Sequence, residues 1–193
     1  MSEGLLEIRW HGRGGQGAKT AAAMVAEVAM EAGKYAQAAP EYGAEREGAP
    51  IKAYTRIAQD LIRVHDAIYY PDIVVVLDDT LLDTQQVDSG LSEDGILLVN
   101  TRKSPAEVRE LLGLEGRRVY TIDATSIALD EIGRPIPNTV MIGALLAVTG
   151  VVDLEHIEKS IDKKLGGKLS EGMLKGNKRA VERAAEEVRG EDG

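Results

Sequence analysis

Leu5-Leu6-Glu7-Ile8-Arg9-Trp10, then His11-Gly12-Arg13-Gly14-Gly15-Gln16-Gly17, then the run Ala18 to Gly33 decide the fold. The first segment is a short β-type run. The second is a glycine cluster. In the third, Ala21, Met24, Val25, Val28, Ala29 and Ala32 recur at helical spacing, and Gly33 suits the position just past a helix end. Strand, glycine-rich turn and helix form one unit, the context that a phosphate-binding turn requires.

Outward from this unit the pattern alternates. Tyr35–Ala39 and Ile51–Ile57 read as strands around a polar, proline-bounded loop, Pro40 to Pro50, and Ile62–Val64 as a short strand or hairpin arm. Ile73–Leu77 is apolar throughout and Ile96–Asn100 is apolar as far as Val99, the mark of buried parallel strands. Ser104-Pro105-Ala106-Glu107 predicts a capped helix over 105–112, and Arg118–Asp123 a further strand. Val140–Val148, closed by Gly150, predicts a buried helix. Asp153 is placed to cap the next one, which carries Leu154, Ile157, Ile161 and Leu165 on one face and breaks at Gly166-Gly167. A last helix is expected over 171–189, with a frayed tail from Arg189 to Gly193. The sum is an α/β fold: a Rossmann-like layered domain with a mostly parallel sheet flanked by helices. One domain is expected over 1–193, with the helices of about 153–189 packing on it.

Composition excludes several functions. The 193 residues carry a net charge of −9, a poor match for nucleic acid or an anionic membrane surface. With no cysteine there is no thiol nucleophile, thiolate zinc site or cysteine-ligated cluster on these residues. His11, His65 and His156 are too scattered to read as a metal cluster. No apolar run approaches membrane-spanning length, and Ser2–Trp10 does not read as a signal peptide, so a cytoplasmic protein is expected.

Gly12, Gly14 and Gly17 match G-x-G-x-x-G, with Arg13, Gly15 and Gln16 between them. Such a loop lets backbone N–H groups approach a diphosphate at a helix N-terminus. A dinucleotide site also wants a ribose-holding carboxylate near the end of the second strand, and Tyr35–Pro40 has none. A tight strand-to-helix turn is the rival. A Walker A loop is excluded, because no Gly-Lys-Ser/Thr follows. Glu41 to Pro50 is either a solvated loop or a rigid contact loop in which Arg46 faces a carboxylate or phosphate. His11 is expected to pack or cap rather than carry protons. Asp78-Asp79 offers carboxylates for Mg²⁺ without a supporting partner motif. Asp123 before Thr125-Ser126 suits a helix cap, His156 a solvated position, and Lys175, Lys178, Arg179 and Arg183 a solvated face or one that meets an acidic partner.

Over nearly its whole length the chain resembles the gamma subunits of 2-oxoacid:ferredoxin oxidoreductases, most of all those of pyruvate:ferredoxin oxidoreductase. The matching stretches include Ile8–Thr20, Gly33–Ala38, Glu41–Arg46 with Gly48–Pro50, Pro71–Asp78, Leu91–Thr101, Val119–Thr125, Pro137–Thr139 and Asn177–Ala180. Glu47 departs from the family, which often has Arg or a small residue there. The resemblance implies a complex that uses thiamine diphosphate, Mg²⁺ and [4Fe–4S] clusters to convert a 2-oxoacid and coenzyme A to acyl-CoA and CO₂, with electrons passed to ferredoxin. It implies alpha, beta and delta subunits as partners and no cofactor on this chain itself. Gly12, Arg13, Gly14, Gly15, Gln16 and Gly17 become candidates for a coenzyme A or subunit contact, and Tyr42, Glu45 and Arg46 for an interface. The substrate is expected to be pyruvate, with branched-chain, aryl or 2-oxoglutarate substrates as alternatives. A free-standing nucleotide- or coenzyme A-binding module is the rival from another class.

Overall fold

A computed structural model describes residues 4–41, 47–167 and 169–191. Six strands form one sheet: β1 (Leu5–Arg13), β2 (Tyr35–Pro40), β3 (Pro50–Ala58), β4 (Ile73–Val76), β5 (Ile96–Asn100) and β6 (Arg118–Ile122), in the order β2-β3-β1-β4-β5-β6. The neighbours β1, β4, β5 and β6 pair in parallel, whereas β3 runs antiparallel to both β1 and β2. Parallel neighbours need a crossover, while a short connection such as 41–49 can only return the chain antiparallel. The expected mostly parallel α/β sheet is therefore present, with β3 as its one reversed strand.

The helices are α1 (Ala18–Glu31), α2 (Leu81–Thr84), α3 (Pro105–Leu112), α4 (Ala124–Ile132), α5 (Asn138–Thr149), α6 (Leu154–Leu165) and α7 (Glu171–Glu187). Successive strand residues face opposite sides. Ile73 and Val75 join Ile8 and Trp10 in the core under α1 and α5, while Val74 and Val76 join a second core with Val108 of α3. Both sides of β4 are thus buried, which is why it is apolar throughout. Trp10 is fully buried, and its indole Nε1 donates to Thr55 Oγ1 at 3.0 Å. The Thr55 hydroxyl in turn donates to the Ala22 carbonyl in α1.

The capping box predicted for α3 is present: Ser104 Oγ accepts from the Glu107 N–H, and Glu107 Oε2 from the Ser104 N–H. Asp123 caps α4 through the Ser126 N–H at 3.1 Å. Asp153 occupies the N-cap of α6 without a side-chain hydrogen bond. Four expectations need correction. β1 runs on through His11, Gly12 and Arg13, because β3 pairs with it as far as Pro50. Ile62–Val64 finds no strand partner and crosses as an irregular segment, with Ile62 buried and Leu61 and Val64 exposed. His156 is half-buried rather than solvated, and its Nδ1 is buried without a partner. As far as Glu191 the tail is tied down: Arg189 exchanges two backbone hydrogen bonds of 2.9 Å with Thr121 on the outer edge of β6, and Glu191 pairs with Arg109.

Candidate functional site

In open α/β sheets, ligands lie beyond the carboxyl ends of the strands where the order reverses. Here the chain leaves β1 toward β2 and β3 on one side, and β4 to β6 lie on the other. The glycine loop and the segment after β4 meet at that point. A cleft of about 480 Å³ opens there, lined by Gln16, Asp78, Asp79, Asn100, Thr101 and Arg102 among others.

The glycines do different jobs. Gly12 lies in β1, where a Cβ would meet the Ala18 Cβ at 3.2 Å, so its role is close packing of α1 on the strand. Gly15 and Gly17 have φ of +98° and +83°, which only glycine adopts without strain. Gly17 is also the N-cap of α1, and a Cβ there would lie 2.6 Å from the Asn138 amide nitrogen.

The loop satisfies many of its own polar groups. Gln16 Oε1 accepts from the Arg13 N–H at 2.8 Å, and Gln16 Nε2 donates to Asp78 Oδ2 at 2.6 Å. The Gly14 N–H goes to the Ala49 carbonyl and the Gln16 N–H to the Arg13 carbonyl. The Arg13 guanidinium donates to Thr80 Oγ1 and the Gly48 carbonyl and lies 3.4 Å from Asp78. Burial raises the Asp78 carboxyl, but hydrogen bonds from Thr80 and Gln16 and the charge of Arg13 outweigh it and hold the group below its ordinary value. Asp78 is thus an ionised staple across the mouth of the loop. A diphosphate entering the cleft would meet this carboxylate and find the Arg13, Gly14 and Gln16 N–H groups taken. Asp79 accepts from Thr101 and Lys103. Among the described residues no group of three or more His, Asp or Glu could hold a metal ion.

Gly12, Arg13, Gly14, Gly15, Gln16 and Gly17 are therefore brought together, with Asp78, Thr80 and Asn138 as partners that local sequence does not reveal. Tyr42, Glu45 and Arg46 lie outside the described residues. The basic run of α7 is matched within the chain: Lys175 by Glu171, Lys178 by Asp162, Arg179 by Glu131, and Arg183 by Asp130, Glu131 and Glu187. His11 is 2% exposed, and Arg9 Nε donates to its Nε2 at 3.0 Å. Burial, together with the charges of Arg9 and Lys52, pushes the imidazole down to about 3, so it carries no proton between groups near neutrality. A polar layer on the other face of β1 was missed: Glu7 with Arg56 at 2.7 Å, Arg9, His11, Lys52 and Tyr54. The alternation Glu7-Arg9-His11 against Lys52-Tyr54-Arg56 is the signal that would have shown it.

A layered α/β domain whose strand-to-helix glycine loop is tied to the segment after β4 by Gln16 and Asp78 is the class that fold and site define. The profile of the family described as Pyruvate ferredoxin/flavodoxin oxidoreductase matches residues 7–187, and the chain belongs to that family. It is 58% identical over 183 residues to the pyruvate synthase subunit PorC of Thermotoga maritima, covering 95% of this chain and 94% of PorC. It is 49% identical over 179 residues to the pyruvate/ketoisovalerate oxidoreductases common subunit gamma of Pyrococcus abyssi, covering 93% and 97%. The crystal structure of the T. maritima pyruvate oxidoreductase subunit PORC superposes with a TM-score of 0.87 at 52% identity, over 98% of this chain and 99% of that one.

Proposed function

We infer that this chain is the gamma subunit of a multi-subunit 2-oxoacid:ferredoxin oxidoreductase. End-to-end similarity to gamma-type subunits at up to 58% identity carries this reading. The reaction joins the acyl part of a 2-oxoacid to coenzyme A, releases CO₂ and passes electrons to ferredoxin. Thiamine diphosphate with Mg²⁺ and the iron–sulfur clusters belong to the alpha, beta and delta partners. The chain has no cysteine to hold a cluster. No helix is long and apolar enough to cross a membrane, among the described residues, and we place the complex in the cytoplasm. Pyruvate is the favoured 2-oxoacid. The P. abyssi relative is a subunit common to pyruvate and ketoisovalerate oxidoreductases. By the same division of labour, substrate choice here belongs to the other chains.

The unit that assembles is the whole 1–193 stretch, C-terminal helices included. Of the two jobs open to Gly12–Gly17, a subunit contact fits better than a grip on coenzyme A phosphates, because Asp78 and Gln16 fill the loop's mouth. Tyr42, Glu45 and Arg46 are assigned to the subunit interface as well. Native mass spectrometry of the tagged chain, purified anaerobically from its own cells, tests the reading. Co-purification with a thiamine-binding pair and a cysteine-rich cluster protein is expected. Arg46→Ala should lower the assembled fraction without moving the melting temperature of the free chain. A lone monomer, with 2-oxoacid-dependent ferredoxin reduction persisting after deletion of the chain, would reject the subunit role.

A further inference from the structure

The face of β1 and β3 turned away from α1 holds a second polar cavity, of about 340 Å³, separate from the glycine-loop cleft. Strand register builds its floor, with Arg9 opposite Tyr54 and His11 opposite Lys52. Arg9 is 6% exposed and holds the far wall in place. Its Nε donates to His11, and its terminal nitrogens donate to the carbonyls of Ile68, Tyr69, Val87 and Ser89. None of these acceptors is charged. Among the described residues no carboxylate pairs with Arg9, so a buried cation stands without a contact counter-ion, a costly arrangement unless an anion comes near.

The lining favours one ligand class. Among the lining residues, Arg9 and Lys52 against Glu41 leave a net charge of +1, and Asp88, outside the lining, is the other carboxylate whose charge reaches Arg9. Glu41 is 3.7 Å from Lys52 and accepts from the Tyr54 hydroxyl, so it would repel a second negative charge on a ligand. An arginine Nε only donates, so His11 Nε2 must carry the lone pair and Nδ1 the proton. That N–H has no partner among the described residues. Ile68 and Tyr69 add apolar wall. We propose that this cavity binds a small organic monoanion, a short-chain carboxylate, held by Lys52 and the His11 Nδ1–H above the buried charge of Arg9. The proposal does not rest on the subunit role.

The test follows the imidazole nitrogens of the full-length, ¹⁵N-histidine-labelled chain by NMR. Acetate, propanoate and inorganic phosphate are titrated in turn at constant ionic strength, with chloride as the reference. Saturable shifts of His11 with acetate and propanoate, weaker with phosphate and absent with chloride, are expected, while His65 and His156 stay still. Lys52→Met should weaken binding about tenfold, as loss of one charge-assisted hydrogen bond does, and Lys52→Arg should keep it. A wild-type His11 signal unmoved by either carboxylate overturns the proposal, as do phosphate binding more tightly than acetate and a Lys52→Met affinity equal to wild type. If His11 moves only when partner subunits are added, the cavity receives an acidic side chain of a partner and the small-ligand assignment is wrong.

Discussion

Gly15 and Gly17 share a left-handed backbone but not a neighbourhood. Nothing lies within 4 Å of a Cβ built on Gly15, whereas one on Gly17 runs into Asn138. Gly15→Ala should therefore cost only the backbone penalty, about 1–2 kcal/mol. Gly17→Ala adds the expense of displacing the Asn138 side chain and should exceed it by about 1 kcal/mol or more. Urea midpoints of the two variants check the order, and equal midpoints would show that the Asn138 contact is irrelevant. His11 sets a different expectation. Its folded value of about 3 lies below the ordinary 6.5, so between these values the unfolded chain binds a proton that the folded chain refuses. Stability should therefore fall on acidification, at about 1.4 kcal/mol per pH unit once below the ordinary value. His11→Gln keeps an acceptor for Arg9 and does not titrate. Urea unfolding from pH 7 to 5 should show the slope in the native chain and its loss in the variant.

Among the elements, α5 and α7 meet most closely at a glycine. A Cβ on Gly143 would lie 2.8 Å from the Val181 carbonyl oxygen and 3.0 Å from the Ala184 Cβ. Gly143→Val should force these helices apart and cost about 1–3 kcal/mol or more, read as a lower melting temperature. Retained stability would mean that α7 can shift freely. Local rules made much of this architecture legible. The apolar runs of β4 and β5, the capping box of α3 and the Gly150 end of α5 are written in adjacent residues. What escaped depends on distant partners. β1 reaches Arg13 only because β3 pairs with it, and Ile62–Val64 fails as a strand only because no neighbour is offered. The candidate site divides in the same way. The glycine loop is visible as a motif, but Gln16 and Asp78 meet only when β1 and β4 lie side by side. The Arg9–His11 cavity needs the register of β1 on β3.

For the whole molecule, acidic residues outnumber basic ones, 32 to 23, and most basic side chains of the described residues are engaged in ion pairs or hydrogen bonds. The basic run of α7, open to a partner on sequence grounds, is spent on α4, α6 and α7's own carboxylates. Elsewhere on the surface, Tyr69 and Tyr70 are the most exposed aromatics among the described residues. The two margins of the sheet also differ. Arg189 occupies part of the outer margin of β6, with Arg109 and Glu191 clamped beside it, whereas β2 presents Tyr35–Pro40 with no strand beyond among the described residues. Two copies joined through their unobstructed margins would meet β2 to β2 about a two-fold axis. Such a contact consumes the unobstructed margin on each partner, and the Arg189 bridge on β6 stands against growth from the other side into a fibre.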